Sequence, residues 1–304
     1  MMPVKKQLKD LMSIYRSDST SIQEGVPIEE YHNPDLNPGL SSTVFRNIAV
    51  SPEYAYHKRR PPVESTQSKP TKPKQTKDML EGSLIHTVVN EPETFEEHYM
   101  LTPAVNRKTN AGKEEYARLM EEAEGKHLIT EDQWMMALGC RDSVHGNREA
   151  RMLIEKSKAE VSGFVNVEGT QTLKARPDLV INKHFFGLAD IKSRQGGAAV
   201  RDQFIRDLIN YKIYLQAALQ VHVWETHGQK VETYYYLLVE KAAPYQCVVY
   251  PLDRQFIDIG IIELNQLFIR WHQWMKEPTP GYGYYQPALE PPAWFIKKQG
   301  EDDE

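Results

Sequence analysis

Arg176-Pro177-Asp178 and Asp190-Ile191-Lys192 flank a short polar break, Asn182-Lys183-His184, with apolar residues on both sides of it. That pattern predicts two strands joined by a tight turn. A turn centred on His184 sets Asp178 opposite Asp190 and Arg176 opposite Lys192. Strand side chains alternate, so all four then project from one face. Two opposed carboxylates, roughly 5 Å apart at their Cβ atoms, repel each other. A divalent cation between them converts the repulsion into affinity. Lys192 beside them supplies a fixed positive charge, able to lower the pKa of an attacking water or to offset charge on a scissile phosphate. The Ile191 carbonyl could be a further metal ligand. These are the parts of metal-assisted phosphodiester cleavage. The alternative is an exposed hairpin laced by Arg176–Asp190 and Asp178–Lys192 salt bridges, each worth little. Pro177 also places its strand at an edge or beside a bulge.

Other residues can join this set. Glu160 is a third acid, expected at the start of the preceding strand. His86 follows Gly82 by four residues, so both share a helix face; the glycine permits a close approach and the imidazole could ligate a metal. A helix histidine bonded to a backbone carbonyl is the alternative. Tyr211 and Gln216 fall on a helix after the acidic hairpin, where a phenol and an amide could orient the nucleophile, Lys192 or a phosphate; a core tyrosine and a surface glutamine would look the same. Ser193 and Arg194, directly after Lys192, and Arg176 are candidates for DNA contact. The sequence holds no G-x-x-x-x-G-K-[ST] or G-x-G-x-x-G phosphate loop, no G-x-S-x-G elbow and no H-E-x-x-H or Cys/His zinc pattern.

The elements that must position these residues follow from periodicity. Helices are predicted from Ser41 or Ser42 through Ile48, over Met79–Val89, Lys113–Glu124, Thr130–Lys156, Val200–His222 and Ile257–Met275. Glu160–Val167 and Gln171–Ile181 predict a hairpin around Glu168-Gly169, followed by a strand over Phe185–Ser193. Glu232–Glu240 and Tyr245–Pro251 form a second hairpin. This order predicts an α/β fold, a mixed sheet flanked by helices with an N-terminal helical region. Residues 1–38 are expected to be an arm, 39–276 a single domain, and 277–304 a Pro-, Gly- and Tyr-rich tail with an acidic end. Within the domain, 57–77 is too basic and polar to pack. It is expected to be a flexible linker or a basic flap whose Lys69, Lys72, Lys74 and Lys77 touch DNA.

The 304 residues, 40% hydrophobic and 26% charged, suit one large or two ordinary globular domains. No apolar run approaches the roughly 20 residues of a membrane span. Met1 to Asp10 is polar with no apolar signal core behind it, and Cys140 and Cys247 are far apart in sequence, so a cytoplasmic location is expected. Net charge is −5, so affinity for phosphates must come from locally gathered basic residues or bound metal.

Taken in order, Gly82-Ser-Leu-Ile-His86, Glu91-Pro92-Glu93 with Phe95, Glu160, Arg176-Pro-Asp178, Asp190-Ile-Lys192 and Tyr211 with Gln216 resemble a known family. The chain resembles the nuclease domain of exonuclease VIII (RecE), among the PD-(D/E)XK nucleases that include lambda exonuclease and RecB-type nucleases. The likeness spans about Ser41 to Gln220. One departure is clear: RecB-type relatives often carry Q-x-x-x-Y where this chain has Gln216-Ala-Ala-Leu-Gln220. The resemblance implies a magnesium-dependent exonuclease that resects linear double-stranded DNA from 5′ ends and leaves 3′ single-stranded tails. It also implies a ring-shaped homo-oligomer acting with a RecT-like single-strand annealing protein in recombination, of the kind phages use. Asp178 and Asp190 are then metal ligands, with Glu160, His86 and the Ile191 carbonyl completing a site for two Mg²⁺ ions, for which Mn²⁺ can substitute. Lys192 activates water; Gln216, Tyr211 and Arg176 position. An endonuclease of the same fold and a catalytically silent DNA-binding or assembly module are the rival outcomes.

Overall fold

The computed structural model describes residues 17–59, 76–167 and 172–279. Along the chain, strand β1 (Ser17–Gln23) is followed by helices α1 (Ile28–His32), α2 (Ser42–Val50) and α3 (Pro52–Arg59). Helix α4 (Lys77–Asn90), capped by the Thr76 hydroxyl, passes through a short 3-10 turn and α5 (Phe95–His98) into β2 (Tyr99–Leu101). Next come α6 (Asn110–Glu122), β3 (His127–Ile129), α7 (Glu131–Gly146) and α8 (Arg148–Glu155). The strands β4 (Ser157–Ala159), β5 (Ser162–Val167), β6 (Thr172–Ala175), β7 (Leu179–Ile181) and β8 (Gly187–Arg194) follow. The chain continues through α9 (Arg201–Asn210), α10 (Tyr214–Thr226), β9 (Thr233–Glu240), β10 (Cys247–Leu252) and α11 (Arg254–Lys276).

The central sheet has five strands in the order β10-β9-β8-β7-β4, with β8 and β9 parallel and the other pairs antiparallel. A three-stranded sheet, β1-β5-β6, stands beside it, and β2 and β3 pair separately. This is the mixed α/β architecture expected from the order of apolar runs. The segment expected to be an N-terminal arm contributes β1, hydrogen-bonded along β5 from Gln23 to Ser17.

The register explains how two sheets arise from one hairpin. Ala159 pairs with Leu179 in the central sheet, and Gly163 pairs with Ala175 in the small one. A step of four residues along each strand leads from one pair to the other. The hairpin predicted around residues 168–169 is therefore in register along its length but bent in the middle, its turn lying outside the described residues. The bend falls at Glu160-Val161 on one strand and Arg176-Pro177 on the other. Pro177 has no N–H to give a ladder, and Glu160 has a left-handed φ of 52°.

Alternation along the central strands sorts their side chains between two cores. Ala189 and Ile191 pack with Leu84 and Ile85 of α4, Ala137 of α7 and Leu153 of α8. Leu188 and Val180 pack on the other face with Leu215 and Leu219 of α10 and Leu264 and Trp271 of α11. With a period of two, Asp178, Asp190 and Lys192 therefore belong to the α10 face.

Two predicted helices are each split. The segment expected as one helix over Thr130–Lys156 breaks at Asn147, whose side chain accepts from the N–H groups of Glu149 and Ala150 and so starts α8. The long helix over Val200–His222 breaks at Tyr211-Lys212, where Lys212 takes a φ of 50° and the chain restarts as α10. The first break falls at Gly146-Asn147, a pair that propensity disfavours within a helix, whereas Lys212 carries no such signal. Among the described residues no helix is long and apolar enough to cross a membrane.

Candidate metal centre

The β7–β8 hairpin has the register expected from its turn. Leu179 pairs with Ala189 and Ile181 with Gly187, with His184 in a left-handed conformation (φ 73°) at the turn. Asp178 lies one step past the last pair, opposite Asp190. There its Oδ2 accepts the Ile191 N–H at 2.5 Å, in place of a backbone partner that β7 no longer provides. In an extended strand the N–H and C=O of one residue point to the same side. The Ile191 carbonyl is thus turned toward the gap beyond the end of β7, where a cation could reach it.

Arg176 departs from the expectation. It was to face Lys192, yet the chain has already left the central sheet at Pro177. Its Nε lies 2.9 Å from Glu160 Oε2 and its Nη2 donates to the Val26 carbonyl at 2.7 Å. Buried in this way, and with Tyr31 stacked against it, the guanidinium orients Glu160 and anchors the segment before α1. Glu160 itself sits on the bend, donating its N–H to the Asp178 carbonyl at 3.1 Å.

These bends bring three ligand types together. His86 Nδ1 is 3.5 Å from Asp178 Oδ2, and one ligand atom each from His86, Glu160 and Asp178 lie within 4.8 Å of one another. Asp190, expected to ligate the metal with them, is not in this cluster: it is fully buried and both its oxygens are engaged. Its Oδ1 accepts from Gln216 Nε2 at 2.7 Å, and its Oδ2 is paired with Lys192. Gln216 Oε1 in turn accepts from Lys192 Nζ at 3.2 Å, so one amide locks both members of the pair. The electrostatics agree with a cation site. Burial, with the Asp178 charge second, pushes Glu160 up to about 8. Burial, with Asp190 second, pushes Asp178 up to about 6. Carboxylates held so high by burial and mutual repulsion, beside an imidazole, fit a divalent cation with hard oxygen ligands.

His86, Glu160, Asp178 and Gln216 line a cleft of about 930 Å³, together with Tyr31, Arg46, Tyr99 and Lys174. Arg46, on α2, has no carboxylate within ion-pair distance among the described residues and donates to the Thr43 hydroxyl. Arg46 is a basic wall residue that spacing did not reveal, because α2 is distant in sequence from the acids; Lys174, four residues before Asp178 on β6, is buried and donates from Nζ to the Tyr31 and Asn37 carbonyls.

The chain from residue 41 to residue 283 matches a family model described as a PDDEXK-like domain of unknown function, DUF3799. The chain belongs to this family. No curated protein matches it. The crystal structure of a "Putative exonuclease" from Eubacterium rectale is similar to this PDDEXK-like domain, with a TM-score of 0.57 and 11% identity over 91% of this chain and 98% of that one. At that identity the likeness speaks for the fold. The crystal structure of SSO0001 aligns over 61% of this chain and 84% of that one with 16% identity and a TM-score of 0.26, too low to carry an argument.

Within the PDDEXK-like domain the remaining candidates are dispersed. Tyr211 caps the end of α9, is 65% exposed and is not part of the cleft lining. Arg194 is engaged by Asp207 and lies over the Phe204 ring, so its charge is already compensated. Ser193 adjoins Gly82; a Cβ on that glycine would meet the Ser193 hydroxyl at 3.8 Å, an ordinary contact, so the approach does not demand glycine. Lys77 is the first residue of α4, not part of a loop, and pairs with Glu81 at 3.5 Å. Lys69, Lys72 and Lys74 lie outside the described residues, as does the tail from residue 280.

Proposed function

We propose that this PDDEXK-like domain is a divalent-cation-dependent deoxyribonuclease that degrades linear double-stranded DNA from its ends. The observation that carries this is the convergence of His86, Glu160 and Asp178 on one cleft, with Gln216 in the same lining bonded to the Asp190–Lys192 pair. A bound Mg²⁺, or two, would activate water and stabilise charge on the phosphate. His86, Glu160, Asp178 and the Ile191 carbonyl would hold it. Lys192, fixed by Asp190 and Gln216, carries positive charge next to the reacting phosphate and can hold or pass a proton at Nζ. Arg176 keeps Glu160 aimed at the ion, and Arg46 offers a cation to the backbone on the cleft wall.

The finer reading rests on the resemblance to exonuclease VIII: 5′ to 3′ resection, 3′ tails handed to a RecT-like annealing protein, and a ring-shaped oligomer around the duplex. Linear duplex labelled at the 5′ or the 3′ end, incubated with Mg²⁺ or Mn²⁺, tests it. The 5′ label is released first and closed circular DNA survives. Cutting of closed circles establishes an endonuclease, and the absence of cation-dependent nucleotide release, or its persistence in Asp190→Asn, rejects the site.

A further inference from the structure

Gln216 and Gln220 stand one turn apart on α10, a helix whose neighbouring positions, Leu215, Ala217, Ala218, Leu219 and Val221, are buried and apolar. Each glutamine uses both ends of its amide. Gln216 serves the Asp190–Lys192 pair. Gln220, 2% exposed, donates from Nε2 to the Arg176 carbonyl at 3.1 Å and accepts at Oε1 from the Tyr234 hydroxyl at 2.6 Å. The orientation of this amide is determined by chemistry: a carbonyl can only accept, so the NH₂ group must face Arg176 and the oxygen must face the phenol.

We propose that Gln220 is a positioning residue for the cation site, acting through the backbone of Arg176; this rests on the nuclease reading above. Arg176 lies between β6 and β7, outside both ladders and ahead of a proline that cannot donate. Its carbonyl therefore depends on a side chain for a partner. The same residue carries the guanidinium that orients Glu160, and Asp178 follows two positions later. Holding this one carbonyl thus places two of the three clustered ligands. The other end of the tie is on β9, where Tyr234 pairs in register with Leu188 of β8, two residues before Asp190. Through Gln220 the bent hairpin bearing Glu160 and Asp178 is referenced to the strand bearing Asp190 and Lys192.

Replacing Gln220 by methionine keeps most of the volume and removes both bonds. Outer-shell partners of metal ligands are worth roughly 10–100-fold in affinity. Gln220→Met is therefore expected to raise the Mn²⁺ dissociation constant, measured by titration calorimetry without DNA, by about tenfold. The Mn²⁺ concentration for half-maximal nucleotide release rises in parallel, and saturating Mn²⁺ restores part of the rate. A variant that melts earlier yet binds Mn²⁺ like the wild type overturns the proposal, since a purely structural role would lower stability and leave affinity alone. If Gln220→Met does not fold, Tyr234→Phe releases the far end of the amide, and the same readings decide: weaker Mn²⁺ binding supports the proposal and unchanged binding overturns it. Wild-type protein that binds no Mn²⁺, or binds it undiminished in Asp178→Asn, rejects the metal site itself and the positioning role with it.

Discussion

Lys192 and the crowded acids make separable demands on the same few ångströms. Lys192 is buried against Asp190 but retains about a quarter of its side-chain surface (26%), enough to meet a substrate. Lys192→Met should lower kcat by a factor on the order of 10²–10³, the usual cost of deleting one preorganised charge-stabilising group, while Mn²⁺ binding is retained. Loss of both together would mean that Lys192 holds the acids in place and does no more. The acids predict a pH dependence of stability. The carboxyls of Glu160, raised to about 8, and Asp178, raised to about 6, keep protons in the folded state that the unfolded chain releases near its ordinary carboxylate range. Where the folded state binds more protons, stability falls as pH rises. Cation-free protein should thus lose thermal stability between about pH 4 and pH 8, most steeply below about pH 6, where both carboxyls contribute, and above it from Glu160 alone. Melting curves across that range provide the check: Glu160→Gln/Asp178→Asn should flatten the slope, and added Mn²⁺ should raise the melting temperature more at pH 8 than at pH 5. A slope identical in the double variant would place the pH dependence elsewhere.

Helix α10 links the site to the rest of the domain, because its buried amides face the sheet while its opposite side packs on α11. That packing is close at Gly260, where an added Cβ would lie 2.5 Å from the Ala218 Cβ and 3.3 Å from the Tyr214 ring. Alanine is the better helix former by about 1 kcal/mol. Overpacking a tight core contact costs about 1–3 kcal/mol, and a contact this short between helix backbones gives it the larger weight. Gly260→Ala should lower the melting temperature, followed by circular dichroism, and weaken Mn²⁺ binding as α10 shifts. An unchanged or higher melting temperature would show that the two helices have room to spare. The bent hairpin is a second such element: β4-β5 and β6-β7 share one register, and the bend, not the pairing, directs Glu160 and Arg176 toward the cleft.

For the whole molecule, the net charge of −5 is the constraint that any DNA-binding account must meet. Arg46 on the cleft wall, and a divalent ion if His86, Glu160 and Asp178 hold one, would concentrate positive potential locally without altering that total. A basic flap between α3 and α4 would be a further source. Replacing Lys69, Lys72 and Lys74 together should weaken duplex binding and flatten the dependence of log affinity on log salt, by roughly one unit of slope for each phosphate that these lysines neutralise. Fluorescence anisotropy over a salt series measures it, and an unchanged slope would make the segment a plain linker. A ring would place these charges on an inner surface, which sedimentation of the protein with and without duplex can test.

Much of the site was legible in the chain because hairpin register and strand alternation are local rules. The turn at His184 is enough to set Asp178 against Asp190, and a two-residue spacing is enough to put Lys192 beside Asp190. The helices before and after the sheet were likewise visible in their apolar spacing. The partners of Arg176 and the bond from Gln220 to the Arg176 carbonyl were not. Each depends on which residues from distant segments meet across the bend between two sheets, and neither periodicity nor propensity carries that information. Sequence alone determined the chemistry available and the face it points from; tertiary structure decided which acids converge and what holds them, because long-range packing sets the bend and the bend sets the distances.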